Sequence, residues 1–116
     1  MPSVVPFETA PELFYNLVRH YDGQQRTVLR YMDRKSKTWT AISYETLRDQ
    51  VEAMAGYLYS AGVRSGDRVA VLSENRPEWT IADFATQILG AVNVSLYTSL
   101  PATQVSYIVK DSAAKL

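Results

Sequence analysis

The sequence predicts an α/β fold, and three features carry that prediction. Residues 68–72 (RVAVL) form a short apolar run typical of a buried strand, and residues 92–96 (VNVSL) form a second one. Between them, a polar break over residues 73–76 is followed by a helical pattern that begins at Pro77 and ends at Gly90. This order makes a βαβ unit, whose crossover is long enough for parallel, right-handed pairing.

A short helix is predicted near the N-terminus, ending at about His20. Thr9 and Glu12 have capping-box spacing, in which the Thr hydroxyl accepts a helical N–H and the Glu reaches back to the Thr N–H. Pro11 is tolerated in the first turn because its missing N–H would have no partner there. The apolar stripe of this helix is expected to consist of Leu13, Leu17 and Val18.

A β-hairpin is predicted next. Residues 26–33 and 37–42 are both rich in β-formers, and the short polar stretch 34–36 lies between them. The stretch lacks the Asn-Gly or Asp-Gly pair of the commonest hairpin turns, so the turn type stays open.

A second, longer helix follows, with Ser43 as its predicted N-cap. Gly62 is placed as the C′ residue, where a left-handed conformation is favourable for glycine, and Val63 follows as the usual apolar contact. Residues 64–67 then form a turn into the first strand of the βαβ unit. The spacing of four, three and four residues puts one apolar set on a single face: Leu47, Val51, Met54 and Leu58.

The C-terminal part of the sequence is predicted to hold a last helix that starts at Pro101. Residues 115–116 have the pattern of the first step of another strand. Since a parallel sheet is normally covered on both faces and continued laterally, we expect the opening part of a larger α/β protein. The alternative is a complete small domain whose last helix frays. The expected apolar side of the last helix is Val105, Ile108 and Val109.

Composition limits the function classes. The chain has 116 residues, at most one domain, and its 12 basic and 12 acidic residues give a net charge of zero. This balance argues against nucleic acid or an anionic membrane surface as the main partner. There is no Cys, hence no disulfide and no thiolate chemistry. The N-terminal stretch does not resemble a signal peptide and no apolar run is long enough to span a membrane, so the expected compartment is the cytoplasm.

The polar break at residues 73–76 is the best pointer to a site, because ligands of open α/β sheets bind at the carboxyl ends of strands. The same residues have a structural explanation that we favour. Asn75 and Glu78 have capping-box spacing, with Asn75 as the cap, and Arg76 is either an exposed charge or a partner of Glu74. Whether Asn75 or Arg76 contacts a ligand stays open.

Catalytic chemistry is not recognisable in the sequence. His20, the only histidine, has a sufficient role at a helix C-terminus. The sequence holds no strained nucleophile turn, no acidic cluster with metal-ligand spacing and no glycine-rich phosphate loop. We therefore assign no catalytic residue and no metal ligand, and leave cofactor-binding residues unknown. Trp39 and Trp79 are predicted to be core or domain-contact residues, and exposed stacking of bases is not expected of the tyrosines Tyr57, Tyr59, Tyr97 and Tyr107.

Longer motifs carry a resemblance to a known family. The stretch ISYETLRDQVEAMAGYLYSAGVRSGDRVAVLSENRPEW and the following GAVNVSLYTSLPATQVSYIVKDSAAKL resemble the start of AMP-forming adenylate enzymes, most of all long-chain fatty acid–CoA ligases. The resemblance runs from about Phe7 to Leu116. Ser95 departs from it, since many relatives have Pro there. The phosphate loop, adenine-binding segments and catalytic Lys of the family have no counterpart in these residues, so none is carried over.

The resemblance implies an N-terminal fragment of the family's large domain, spanning residues 1–116, with a hairpin, packing helices and the first parallel strands of a sheet that continues. It implies a parent enzyme in which a carboxylate attacks ATP with magnesium assistance, and the thiol of coenzyme A then displaces AMP. The fragment by itself is expected to be inactive and to bind none of ATP, magnesium or coenzyme A. For the parent, a fatty acid is the expected substrate, nucleic acid is not a partner, and a homodimer and peripheral membrane association stay open.

Two alternatives remain at this point. The parent could be another adenylate-forming enzyme, such as a fatty-acyl-AMP ligase or an adenylation domain. The chain could also be a self-standing binding or assembly module without a catalytic parent. A fragment is expected to expose a sheet edge and to self-associate, whereas a module is expected to fold cooperatively as a monomer or dimer.

Overall fold

The computed structural model describes residues 5–116. The first four residues of the stretch considered above as a signal peptide lie outside this range. The described elements are the helices α1 (Ala10–His20), α2 (Tyr44–Ser60), α3 (Pro77–Ile88) and α4 (Ala102–Asp111) and the strands β1 (Thr27–Met32), β2 (Trp39–Ser43), β3 (Arg68–Leu72) and β4 (Val92–Leu96).

The βαβ unit is confirmed. β3 pairs with β4 in parallel, from Arg68 opposite Val92 to Leu72 opposite Leu96, and α3 connects them. On the other edge of β3, the N–H of Lys115 donates to the Arg68 carbonyl at 2.8 Å. The N–H of Ala70 donates to the Leu116 carbonyl, also at 2.8 Å. β3 is therefore bonded along both edges, as the predicted start of a further strand requires.

Asp67 and Arg68 fix the end of the chain to this sheet. The Arg68 guanidinium donates from Nε to the carbonyl of Ser112, the C-cap residue of α4, at 2.8 Å. Lys115 Nζ lies 3.4 Å from Asp67 Oδ2. The same Asp67 oxygen accepts the N–H of Arg64 at 2.7 Å, which closes the turn before β3. That N–H is the main reason why the pKa of Asp67 lies below its ordinary value.

The predicted hairpin is also confirmed. β1 and β2 are antiparallel, with Leu29 opposite Ile42 and Met32 opposite Trp39. Its turn, left open by the sequence, is organised by Asp33, whose Oδ1 accepts the N–H groups of both Lys35 and Ser36 at 2.8 Å.

The helix caps follow the sequence with one difference. Thr9 caps α1 and Ser43 caps α2 through their hydroxyl oxygens, as predicted. The Glu12 carboxylate, however, accepts the N–H of Glu8 at 2.8 Å and not that of Thr9, because the chain before the cap folds back over the first turn. Gly62 follows the end of α2 with the predicted left-handed backbone (φ 97°), and the Val63 N–H donates to the Leu58 carbonyl at 3.0 Å, which makes a Schellman motif.

The core lies between layers. α2 packs on the hairpin on one side and on α3 on the other, and α3 packs in turn on the parallel strands. In α1 the buried residues are Phe14 and Val18, with the Phe14 ring stacked on Phe84 at 4.7 Å, whereas the predicted Leu13 and Leu17 are only half-buried. In α2, Ala55 and not Met54 completes the buried face of Leu47, Val51 and Leu58. Neighbouring helices decide which part of a broad apolar stripe faces inward.

Of the two predictions for tryptophan residues, one is confirmed and one is wrong. Trp79 packs partly buried against the core, as predicted. The prediction that Trp39 is a core residue is wrong, since its side chain is 67% exposed on the outer face of β2. α4 has no fully buried residue, and its predicted apolar side is half-buried. The tyrosines Tyr57, Tyr59, Tyr97 and Tyr107 are all exposed.

Candidate functional site

The polar loop, residues 73–76, connects the carboxyl end of β3 to α3. Its last residue, Arg76, is the N-cap residue of α3, with extended angles (φ −153°, ψ 162°) and no side-chain hydrogen bond to the helix. The prediction that Asn75 is the cap is therefore wrong. The reason is Pro77 at the first helical turn, because a proline favours an extended conformation for the residue before it and so places the cap there.

Arg76 is held by an ion pair with Glu78. Its Nε lies 2.7 Å from Glu78 Oε2 and its Nη2 lies 3.0 Å from Glu78 Oε1, which is bidentate geometry. These hydrogen bonds lower the pKa of the Glu78 carboxyl and raise the pKa of the Arg76 guanidinium. Of the two alternatives expected for Arg76, an exposed charge is confirmed, since its side chain is 59% exposed, and a pair with Glu74 is wrong, since its partner is Glu78.

Glu74 instead contacts the hairpin. Arg34 Nη2 lies 3.0 Å from Glu74 Oε2. Both side chains are exposed, so the pair contributes at most about 1 kcal/mol to stability. Its importance is positional, since it marks where the hairpin turn and the polar loop meet.

Two open clefts flank the polar loop. The first, about 640 Å³, separates the loop from the hairpin, and Arg30, Met32 and Trp39 contribute to its wall. The second, about 490 Å³, is lined by residues 73–75, Trp79 and residues 95–98. This second cleft lies at the carboxyl ends of both parallel strands, next to the polar loop that was the best pointer to a site in the sequence.

The second cleft offers shape and polarity. The Trp79 ring and the exposed Tyr97 ring supply apolar surface, while hydroxyl groups from Ser73 and Thr98 supply hydrogen-bonding capacity. Asn75 lines both clefts, and within residues 5–116 its side chain has no hydrogen-bond partner. That leaves its amide available, and whether Asn75 contacts a ligand stays open.

A polar network that the sequence did not predict adjoins this cleft at Ser95. Asn93 Nδ2 donates to Asp83 Oδ1 at 2.7 Å, and Gln87 Nε2 donates to Asp83 Oδ2 at 3.0 Å. Ser95 Oγ lies 3.4 Å from Asn93 Oδ1. The network joins α3 to β4 just before the residues that line the cleft. Asn93 in the middle of a strand was the sequence signal that could have indicated this network, because Asn is depleted in strands.

Within residues 5–116, no group of three or more His, Cys, Asp or Glu side chains comes close enough together to hold a metal ion. His20 is the last residue of α1, with its ring against Tyr21 at 4.6 Å. Of the described helices, none is long and apolar enough to cross a membrane.

Solved structures define the class of this fold. The N-terminal subdomain of Klebsiella oxytoca NpsA superposes with a TM-score of 0.79 and 25% identity, covering 93% of this chain and 26% of that one. An acyl-CoA synthetase of Brucella canis gives a TM-score of 0.74 and 28% identity, covering 84% of this chain and 18% of that one. The architecture is that of the N-terminal subdomain of adenylate-forming enzymes.

The sequence comparisons give the family. The AMP-binding enzyme family matches residues 19–116, and the chain therefore belongs to it. A long-chain-fatty-acid–CoA ligase of Mycobacterium bovis, FadD15, is 42% identical over 76 residues, 66% of this chain and 13% of that protein. A long-chain-fatty-acid–CoA ligase of Drosophila melanogaster, heimdall, is 30% identical over 107 residues, 92% of this chain and 16% of that protein. The chain thus spans only a small part of the curated relatives it matches.

Proposed function

We propose that residues 1–116 are the N-terminal scaffold of an ATP-dependent, AMP-forming long-chain fatty acid–CoA ligase. The observation that supports the acid and the acceptor most is the 42% identity to a long-chain-fatty-acid–CoA ligase. The parent joins a fatty acid to ATP, with magnesium, to form an acyl-adenylate and pyrophosphate. Coenzyme A then displaces AMP through its thiol. We further propose a cytoplasmic parent that reaches the membrane surface peripherally.

The part that this chain plays is structural. The βαβ unit presents the carboxyl ends of β3 and β4 at the second cleft, and the network around Asp83 holds β4 against α3. Stabilisation of charge on the phosphates, the main catalytic device in such a reaction, needs cations and amides aimed at them. Since the described residues bring no such group together, we propose that the isolated chain is inactive.

The test measures ATP–pyrophosphate exchange by the 116-residue chain and by the protein encoded by its complete gene. We expect exchange only from the complete protein, and stronger exchange with palmitate than with acetate. Comparable exchange by the 116-residue chain contradicts the scaffold proposal. A complete gene that ends soon after Leu116 contradicts it as well and favours a self-standing module.

The acceptor is tested separately. With coenzyme A present, we expect acyl-CoA and AMP to accumulate in equal amounts. Acyl-adenylate that persists in the presence of coenzyme A assigns the parent to the fatty-acyl-AMP ligases instead. Preference for acetate over palmitate rejects the long-chain substrate while leaving the adenylation chemistry in place.

A further inference from the structure

The hairpin concentrates positive charge, although the net charge of the whole chain is zero. Residues 26–42 hold five cations against one acid, Asp33, while the whole sequence balances 12 with 12. A neutral total therefore conceals a basic region, and the argument from net charge against an anionic surface does not apply to this part. Three of these cations lie in the turn, and Arg30 lies in β1 before it: Arg34, Lys35 and Lys37 are the turn residues.

The alternation of the strands puts an apolar pair on the same outer surface. Leu29 and Tyr31 of β1 pack towards the core, so Arg30 and Met32 point to the opposite face. Met32 pairs across the strands with Trp39, and the two side chains are 46% and 67% exposed. We name the outer surface of Arg30, Met32 and Trp39, together with the turn residues 34–37, the hairpin tip.

The turn holds its lysines away from the protein. The Asp33 side chain is occupied by the N–H groups of Lys35 and Ser36, and the Lys37 N–H donates to the Asp33 carbonyl at 2.9 Å. Arg34 pairs with Glu74, yet remains 88% exposed. Within residues 5–116, the side chains of Arg30, Lys35 and Lys37 make no ion pair. The hairpin tip is thus an exposed surface, continuous with one wall of the first cleft, with three cations that lack an acidic neighbour in bonding range.

We propose that the hairpin tip docks onto a bilayer surface that carries anionic headgroups, with Trp39 and Met32 entering the interface and the cations contacting the headgroups. Tryptophan and basic side chains next to apolar ones are the combination that binds such an interface. A single strand of nucleic acid would instead need several stacking platforms along a basic groove, and the hairpin tip offers one exposed ring, Trp39. This inference deepens the proposed function and rests on it in one respect, because a long-chain acid partitions into bilayers.

The experiment measures binding of the 116-residue chain and of the complete protein to sucrose-loaded vesicles, without ATP or fatty acid. Vesicles of phosphatidylcholine with roughly 30 mol% phosphatidylglycerol are compared with pure phosphatidylcholine. We expect both proteins to sediment with the anionic vesicles at about 0.1 M salt and to be released at about 0.5 M salt. Failure of either protein to bind overturns the proposal, because the hairpin tip is present in both.

Matched variants locate the surface. Lys35→Glu changes the net charge by the same amount as Lys110→Glu, which lies in the last turn of α4. At roughly five-fold per unit charge near the surface, we expect Lys35→Glu to weaken vesicle binding about thirty-fold and Lys110→Glu to leave it nearly unchanged. Equal losses in the two variants reject the tip as the docking surface, since they would reflect net charge alone.

Trp39 gives a spectroscopic test that a charge effect cannot mimic. In a Trp79→Phe background, Trp39 is the remaining tryptophan, because the sequence has two. Its fluorescence emission is expected to shift to the blue when anionic vesicles are added and not when pure phosphatidylcholine is added. No shift despite sedimentation contradicts entry of the ring into the interface. Activity of the complete protein in detergent decides the proposed function independently of these measurements.

Discussion

The hairpin and the parallel strand pair use their two faces differently. In the hairpin, one face packs on α2 through residues such as Leu29 and Ile42, and the opposite face is basic and solvent-exposed. In the parallel pair, β3 carries apolar residues on both faces. Val69 and Val71 of β3 are buried on the α3 side, whereas Leu72 on the opposite side is 53% exposed.

β4 makes the asymmetry of the parallel pair clearer. Its polar residues Asn93 and Ser95 share the face of β3 that packs on α3, since they lie opposite Val69 and Val71. Its apolar residues are on the other face: Val92, Val94 and Leu96. Only Leu96 of these is fully buried within the described part of the chain.

The local sequence pattern is sufficient to explain which faces of the hairpin are covered, but it is insufficient for the parallel pair. An antiparallel hairpin can leave one face in water, but parallel sheets are normally covered on both faces. The half-covered face of β3 and β4 is therefore the surface that the remainder of the proposed parent would pack against. Three predictions test the contrast.

The largest effect is expected from charges placed on the two faces of β3. Val71→Asp buries an unpaired carboxylate against α3 and is expected to lower the free energy of unfolding of the 116-residue chain by about 3–5 kcal/mol. Leu72→Asp, on the half-covered face, is expected to cost less than about 1 kcal/mol in the same chain. Urea denaturation measures both.

The same pair of variants tests the second layer in the complete protein. There, Leu72→Asp is expected to become nearly as destabilising as Val71→Asp, because the proposed remainder covers that face. If Leu72→Asp remains harmless in the complete protein, the face stays in water and the contrast between the two sheets is lost.

A smaller effect is expected at the turns that lead into β3 and β4. Gly90 has φ +71°, and a Cβ there would lie 2.7 Å from Ser65 Oγ, whereas Gly66 has φ +84° with open space around it. We expect Gly90→Ala to cost about 2–3 kcal/mol, from backbone strain plus the clash, and Gly66→Ala about 1–2 kcal/mol, from strain alone. Thermal unfolding measures both.

A further substitution, Ser65→Gly, separates the effect of the clash from the effect of backbone strain at Gly90. The Ser65→Gly substitution removes the clashing side chain. In a Ser65→Gly background, we therefore expect Gly90→Ala to lower the free energy of unfolding only as much as Gly66→Ala does. If the double variant gains nothing, the close approach of these two turns does not contribute. Left-handed backbone in the hairpin turn, by contrast, is carried by Lys37 at φ 58°.

The smallest effect is expected from acid titration of the hairpin turn. The N–H groups of Ser36 and Lys35 lower the pKa of Asp33, so its stabilisation is complete above the unfolded pKa and is lost as pH falls through the folded pKa. We expect Asp33→Asn to be slightly less stable than the parent sequence at pH 7. The difference should shrink below about pH 4, where the unfolded Asp is protonated.

A matched variant in the parallel unit makes this test a comparison. The pKa of Asp67 is lowered as well, chiefly by the Arg64 N–H, so Asp67→Asn should flatten the same acid limb of the stability curve. Urea midpoints between pH 2 and pH 7 are the measurement, at roughly the range over which carboxyl groups titrate. A difference for Asp33→Asn that stays constant with pH contradicts a role for its charge.

The sequence by itself determined the elements and their order. Thr9, Ser43 and Gly62 mark helix ends through contacts within a few residues, so their signals survive without tertiary context. The apolar runs of β3 and β4 with a helix between them leave parallel pairing as the natural arrangement.

Tertiary structure decided what depends on distant neighbours. Arg34 meets Glu74 across forty positions of sequence, and Phe14 rather than Leu13 faces inward because Phe84 lies there. Asn93 became part of the network beside the cleft only because α3 brings Asp83 to it. The distribution of charge over the surface also depends on the fold, because a net charge of zero for the whole chain is compatible with a basic hairpin. Caps and turns are fixed by short-range hydrogen bonds, whereas side-chain partners are fixed by packing, which the order of residues alone does not contain.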